Sequence, residues 1–216
     1  MKQTNIERYE ATPVGMPLTE EDENSELFSP FGPMILKSKA PKSLVQRMNS
    51  FADANPKTQA SCEFLLTNEQ CLEGGDESLI RYTGNLIRSY IHHVDRLNIT
   101  SVDFEAFWIV NQLEKTSSPT HFHSCPIAGI LYLQTPTIED GVESGSYMLG
   151  REAGYINFLH GGKQPFSKSL VSFQPIVGDI YIFPGWLLHV AEPFVGTGTR
   201  RSLAFNAQPQ SQTQLE

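Results

Sequence analysis

Thr120-His121-Phe122-His123-Ser124 lies between turn-prone Ser117-Ser118-Pro119 and an apolar run from Ile127 to Leu133. A segment flanked in this way reads as a strand. Residues two apart on a strand share a face, so the spacing predicts that His121 and His123 project side by side, with Phe122 on the opposite face. Two neutral imidazoles held together are half of a site for Fe, Cu, Ni or Zn. A surface histidine pair has the same spacing, so the rest of the chain decides between the two readings.

Two later points answer to the pair. Pro175 to Asp179 reads as a turn, Ile180 to Phe183 as a strand that ends at Pro184, and Gly185 as a bend, after which His189 opens another strand. His189 is the third metal-ligand candidate, on a strand expected to face the first across the mouth of a barrel. In Arg200-Arg201-Ser202-Leu203-Ala204-Phe205-Asn206, alternation puts Arg200, Ser202, Ala204 and Asn206 on one face. Arg201, Leu203 and Phe205 take the other, with Arg201 expected to point outward. A barrel interior holds an arginine only where something anionic pairs with it, and a guanidinium fork matches a carboxylate at two points. Beside a His-lined metal, that carboxylate would belong to a small diacid. An exposed arginine pair at a strand start is the competing reading.

After residue 100 the chain becomes short runs rich in Val, Ile, Phe, Tyr and Trp, cut by Gly, Pro and Asp. Strands are expected over 103–111, 119–125, 128–134, 145–149, 155–158, 171–174, 179–183, 187–192 and 200–206. Such punctuation implies a sandwich or barrel. Upstream, a short strand is expected over Met34 to Lys37. Pro41 opens a helix with Leu44, Val45, Met48, Phe51 and Ala52 on one face. Glu77 to Leu97 carries the strongest helical stripe, from Leu79 and Ile80 through Tyr90 and Ile91 to Leu97. The two helices should cover one outer face of a sheet. His92 and His93 diverge on their helix and do not chelate one ion. Residues 1–27, with Glu20-Glu21-Asp22-Glu23, read as an arm or loop, and 56–76 as irregular. A single domain is expected over 1–206, helical from about 28 to 98 and β from about 103 to 206, followed by a disordered 207–216.

The net charge of −8 over 216 residues argues against a nucleic-acid surface. No stretch approaches the ~18 apolar residues of a membrane span, and the N-terminal residues lack the apolar core of a signal peptide. Three cysteines, Cys62, Cys71 and Cys125, do not make a disulfide framework, so a reducing, cytoplasmic location is expected.

The blocks His121-x-His123, Ala128-Gly129-Ile130-Leu131-Tyr132-Leu133, Gly178 to His189 and Arg200 to Asn206 together resemble the 2-oxoglutarate/Fe(II) oxygenases of bacteria and marine phages. Blocks of that family read roughly H-x-H, S-G-V-Y-Y, F-P-x-W-L-x-H and R-I-S-x-x-F-N. The resemblance covers residues 105–206. It implies a mainly β fold, a double-stranded β-helix (a cupin-like jelly roll) with N-terminal helices on one outer face. It also implies Fe(II) held by His121, His123 and His189, and 2-oxoglutarate as co-substrate. Arg200 would pair with the distal carboxylate of 2-oxoglutarate, assisted by Ser202. Tyr132 would donate to the same ligand, Asn111 and Asn206 would line the pocket wall, and Trp186 would pack the bend. The implied reaction couples oxidative decarboxylation of 2-oxoglutarate to succinate with C–H oxidation of a small molecule or a protein side chain. A homodimer is left open, as is a host cytoplasm if the chain is phage-encoded.

One departure matters. The wider superfamily uses two histidines and one carboxylate, whereas His123 stands two after His121 where Asp or Glu would be. Both histidines ligate, or one ligates while the other holds substrate or orients its neighbours, or Cys125 adds a thiolate. Two readings compete with the whole. One is a three-His cupin dioxygenase or isomerase that uses no 2-oxoglutarate, and the other is a non-enzymatic jelly-roll binding module.

Overall fold

The computed structural model describes residues 9–10, 26–28, 32–55, 62–138, 153–162, 165 and 168–211. Three α-helices among the described residues lie between Lys42 and Asp95, and the two long ones stand where the apolar spacing requires them. Helix α1 (Lys42–Ala54) starts after Pro41 and buries Leu44, Val45, Met48 and Ala52. The short α2 (Asn68–Leu72) is opened by a capping box between Thr67 and Gln70. Helix α3 (Leu79–Asp95) is capped by the Ser78 side chain and ends at Arg96, whose backbone is left-handed (φ 59°). Its stripe of Leu79, Ile80, Leu86, Ile87, Tyr90 and Ile91 is buried.

The described strands form two main sheets and a two-stranded ribbon. The large sheet contains β1 (Tyr9–Glu10), β2 (Glu26–Phe28), β3 (Ile35–Lys39), β4 (Cys62–Leu65), β5 (Ile99–Gln112), β7 (Ile127–Gln134), β11 (Asp179–Pro184) and β14 (Arg200–Ser211). Its order is β1-β5-β14-β7-β11-β3-β2, with β4 also pairing β5. The small sheet contains β6 (Ser118–His121), β9 (Ile156–Leu159), β10 (Leu170–Phe173) and β12 (Leu188–Ala191), in the order β10-β9-β12-β6. A two-stranded ribbon joins β8 (Thr137–Ile138) to β13 (Gly196–Thr197). All pairings are antiparallel.

Two apolar clusters follow from the strand period. Leu131, Ile180, Ile182, Leu203 and Phe205 point from the large sheet to the helices and pack with Leu44, Met48, Leu86 and Ile87. The opposite face supplies Ile35, Tyr132, Tyr181 and Phe183, which meet Ile156 and Phe158 of the small sheet. This is a mostly β jelly-roll architecture with helices on one outer face, as expected. Gly129 marks how tightly the helix-side layer closes: a Cβ there would fall 2.2 Å from Cζ of Phe205.

Several expected boundaries are corrected. Strand β14 runs on to Ser211, with Ser211 opposite Ile99, so 207–211 belongs to the sheet rather than to a tail. The 56–76 stretch contains β4, α2 and a 3-10 turn at Gly75–Glu77. Within the N-terminal arm, Tyr9–Glu10 pairs with β5, and Glu26–Phe28 pairs with β3. Strand β6 ends at His121 instead of continuing to residue 125. The expected strand at 145–149, the acidic run 20–23 and residues 212–216 lie outside the described residues. No helix among the described residues is long and apolar enough to cross a membrane.

Candidate metal centre and its cavity

The ligand-capable nitrogens of His121, His123 and His189 lie within 4.8 Å of one another. The route by which the fold brings them together differs from the strand reading. His121 is directly opposite His189 in the β6–β12 ladder, so these two sit on neighbouring strands rather than facing each other across a barrel mouth. A bulge lies between that pair and the next, Ser118 opposite Ala191. The extra residue re-aims the strand, and both Ser118 and His121 consequently line the cavity. His123 is past the strand end. Its backbone N–H donates to Gly185 O at 2.8 Å, and Gly185 N–H donates to Pro126 O at 2.9 Å. A Cβ on Gly185 would lie 2.0 Å from Cys125 O, so only glycine lets the loop and the bend approach this closely. The Pro184-Gly185 bend therefore positions His123 and also leads directly into the strand of His189.

Hydrogen bonds set two of the three tautomers. Nδ1 of His121 lies 2.6 Å from Pro119 O, and Nδ1 of His189 lies 2.9 Å from Leu187 O. A carbonyl only accepts, so each Nδ1 carries the proton and each Nε2 keeps its lone pair for a metal. His123 has no such anchor among the described residues. Burial, reinforced by His121, lowers the pKa of His123 to about 4. Burial likewise lowers His189 to about 4, against the backbone bond to Leu187 and with help from His121 and His123. Both rings are held neutral, the state a metal requires. Cys125 does not join them. Its thiol donates to Ile127 O at 3.1 Å, and burial raises its pKa to about 11.

The cavity between the sheets, about 590 Å³ counting the space open to solvent, holds the histidines on one wall and Arg200, Ser202 and Tyr132 on the other. Arg200 is 1 % exposed. Its Nε donates to Gln112 Oε1 at 2.9 Å, and Nη1 donates to Gly154 O at 3.1 Å and Glu192 O at 2.6 Å. Among the described residues Nη2 has only Ala191 O, at 3.4 Å. Burial lowers the guanidinium pKa, and Tyr132 and Glu192 push it back up. Tyr132 is 0 % exposed, and its hydroxyl has no partner among the described residues. Burial raises that phenol's pKa further above the ordinary range. An orphaned O–H and a spare Nη2 donor in one cavity call for a guest rich in acceptors.

Alternation on β14 holds, but its other face does not lead to solvent. Arg201 is buried beneath α1, where Nε donates to Asn111 Oδ1 at 2.9 Å and Nη1 donates to Asn49 Oδ1 at 2.8 Å. It also pairs with Asp53 at 2.9 Å. Asn111 therefore lies on the helix side and not in the pocket wall, because it is the register partner of Arg201. Asn206 is also absent from the lining. Trp186 is 52 % exposed, with its ring 5.7 Å from that of His160, instead of packing the bend. Sequence reasoning missed Gln112, which accepts from Arg200 and donates from Nε2 to Ser118 Oγ at 3.0 Å. This relay ties the large sheet to β6. The signal for it was the alternation Trp108, Val110, Gln112, all of which line the cavity.

Residues 106–206 match the family model described as "Putative 2OG-Fe(II) oxygenase", where 2OG is 2-oxoglutarate. No curated protein matches the chain in sequence. Among solved structures, a Pseudomonas putida prolyl-4-hydroxylase is 12 % identical, with a TM-score of 0.50, and the match covers 81 % of this chain and 88 % of that one. The viral collagen prolyl hydroxylase of Paramecium Bursaria Chlorella virus-1, solved with 2OG, is 12 % identical, with a TM-score of 0.51 and coverage of 80 % and 94 %. HygX from Streptomyces hygroscopicus, solved with nickel and 2-oxoglutarate, is 11 % identical, with a TM-score of 0.52 and coverage of 81 % and 82 %. These likenesses establish the fold, and the family match adds the sequence of its β core.

Proposed function

We propose that this chain, whose residues 106–206 match the family model described as "Putative 2OG-Fe(II) oxygenase", is a 2-oxoglutarate-dependent hydroxylase with iron held by His121, His123 and His189. The observation that carries the reading is one cavity containing three convergent histidines and, opposite them, a buried arginine and an orphaned tyrosine hydroxyl. The donor set suits iron, since imidazole is a ligand for Fe as well as Zn and Cu. Three neutral imidazoles leave the metal's charge uncompensated, which favours a dianionic co-substrate at the open positions. When bound, iron and 2-oxoglutarate supply the oxidation of a C–H bond, with succinate as the spent co-substrate.

The chain's own residues bind and orient. Nη2 of Arg200 and the Tyr132 hydroxyl donate to the distal carboxylate, and Ser202 lies beside them. Gln112 and the carbonyls of Gly154 and Glu192 hold the guanidinium so that only one edge is offered. This differs from the two-point fork anticipated from sequence, because Nη1 is already committed to two carbonyls. Phe183, with its ring 4.9 Å from that of His189, and Ile156 give the cavity an apolar lining beside the histidines.

The same hydrogen bonds favour a second reading. Buried Glu192 raises the Arg200 pKa, and the backbone carbonyls already satisfy most of that guanidinium, so Arg200 could serve the fold alone. The protein would then be a three-His metal enzyme without 2-oxoglutarate. Anaerobic titration of 2-oxoglutarate into the Fe(II)-loaded protein separates the two. The proposal expects a metal-to-ligand charge-transfer band and, on admitting oxygen, succinate. Neither will form if Arg200 is only structural.

A further inference from the structure

The cavity carries both signs of charge. Its lining includes the buried Arg200, and Glu63 is the only carboxylate among the described residues that line it. Glu63 is on β4, opposite Val110 of β5. Opposed residues of an antiparallel pair share a face, so Glu63 points to the same side as Val110 and the other cavity-lining residues of β5. Two residues on, Leu65 stands opposite Trp108 on that face and is 59 % exposed. Trp108 also lines the cavity, and its ring is 6.0 Å from that of His123. The carboxylate is exposed and has no ion pair among the described residues. The rim beside the metal ligands thus combines one unpaired negative charge, one indole face and one exposed aliphatic side chain.

We infer that Glu63, Trp108 and Leu65 form a subsite for an aliphatic cation, an amine or guanidinium on a hydrocarbon stem, and that the substrate carries such a group. A carboxylate beside an indole face attracts a cation twice, by direct charge and by the ring quadrupole. Leu65 gives the stem an apolar track. An anionic substrate entering the same way meets Glu63 as a repulsive element, so the subsite discriminates in both directions. The inference rests on the reading of the cavity as an oxygenase site, which names the reaction but not what is oxidised.

The chain has two tryptophans, Trp108 and Trp186. Trp186→Phe therefore leaves Trp108 as the single fluorescent reporter at the rim. The Fe(II)-loaded W186F protein is titrated anaerobically, with and without 2-oxoglutarate, against Nα-acetyl-lysine amide, Nα-acetyl-arginine amide, the neutral Nα-acetyl-norleucine amide and the anionic Nα-acetyl-glutamate amide. A lysine-centred pentapeptide and its norleucine counterpart form the second arm. The expected result is that the cationic probes quench Trp108 with at least about tenfold lower dissociation constants than the neutral one, about 1.4 kcal/mol. Glu63→Gln removes that preference and Glu63→Lys transfers it to the glutamate probe. A preference in both arms or in the amides alone assigns a small-molecule-sized contact, and one confined to the pentapeptide assigns a basic peptide. Equal affinities for lysine and norleucine probes, a preference that survives Glu63→Gln, or no response to any probe overturns the inference. A missing charge-transfer band with 2-oxoglutarate overturns only the oxygenase reading, because the fluorescence titration does not depend on it.

Discussion

Tyr132→Phe should strengthen the fold and weaken the site at once. The change deletes one oxygen from a side chain that is 0 % exposed and whose hydroxyl has no partner among the described residues. A buried hydroxyl left unbonded costs about 1–3 kcal/mol. Removing it from the ligand-free protein should therefore raise the unfolding free energy by about 1 kcal/mol, or roughly 2–4 °C in Tm for a chain of this size. With 2-oxoglutarate present the sign reverses. A hydrogen bond to a charged acceptor contributes about 1.5–3 kcal/mol, so its loss raises the dissociation constant roughly 10- to 150-fold at about 1.4 kcal/mol per decade. The assays are thermal unfolding of the chelator-treated protein and the anaerobic charge-transfer titration of the iron form. Destabilisation of ligand-free Tyr132→Phe would show that the hydroxyl is already bonded in the folded protein. Unchanged affinity, measured where the wild type gives a band, would show that Tyr132 does not meet the ligand. Either result refutes the reasoning.

Three further predictions concern the same region. His189→Ala, His121→Ala and His123→Ala should each lose most bound iron by elemental analysis with the fold retained, while His123→Asp keeps it; full occupancy in any alanine variant removes that residue from the ligand set. Arg200→Ala should raise the 2-oxoglutarate dissociation constant about 100-fold, at ~3 kcal/mol for a broken buried pair, whereas Arg201→Ala should cost about 2–3 kcal/mol of stability by stranding Asn111 and Asn49 and leave affinity unchanged. In metal-free protein, His123 and His189 titrate near pH 4 instead of about 6.5. The unfolded chain thus takes up protons first, and stability should fall between pH 6.5 and 4 and level off below. Urea midpoints across that range test this, and His189→Gln should shrink the loss.

Legibility in the sequence depended on distance along the chain. The alternation of Arg200 and Arg201 was readable because β14 is regular through that stretch, and the helical stripes of α1 and α3 were readable because each helix encodes its own period. The destination of Arg201 was not, since its partner Asn49 is 152 residues away and only the packing of α1 brings it there. Asn111 was misplaced for a related reason: its face follows from its register with β14, which one strand's residues do not contain. The histidine motif gave the right three residues by an incomplete geometry. Alternation alone would have placed His121 and His123 side by side, but the strand stops at His121, and a bulge and the Gly185 bend complete the cluster. Glu63 carried no motif at all and acquired its position only through the pairing of β4 with β5.

Strand β6 is four residues long and, among the described residues, forms one border of the small sheet, with β12 as its sole partner strand. A border strand so short has little ladder of its own to hold it. His121 and His189 are register partners in that ladder, so any ion they share cross-links the two backbones at a rung that already exists. Occupancy of the centre and closure of the sheet margin then become a single equilibrium, and amide exchange along Ser118 to His121 would read out iron content without a chromophore. Chelation would peel this margin before it disturbs the large sheet, whose wide pairing of β5 with β14 does not involve the histidines.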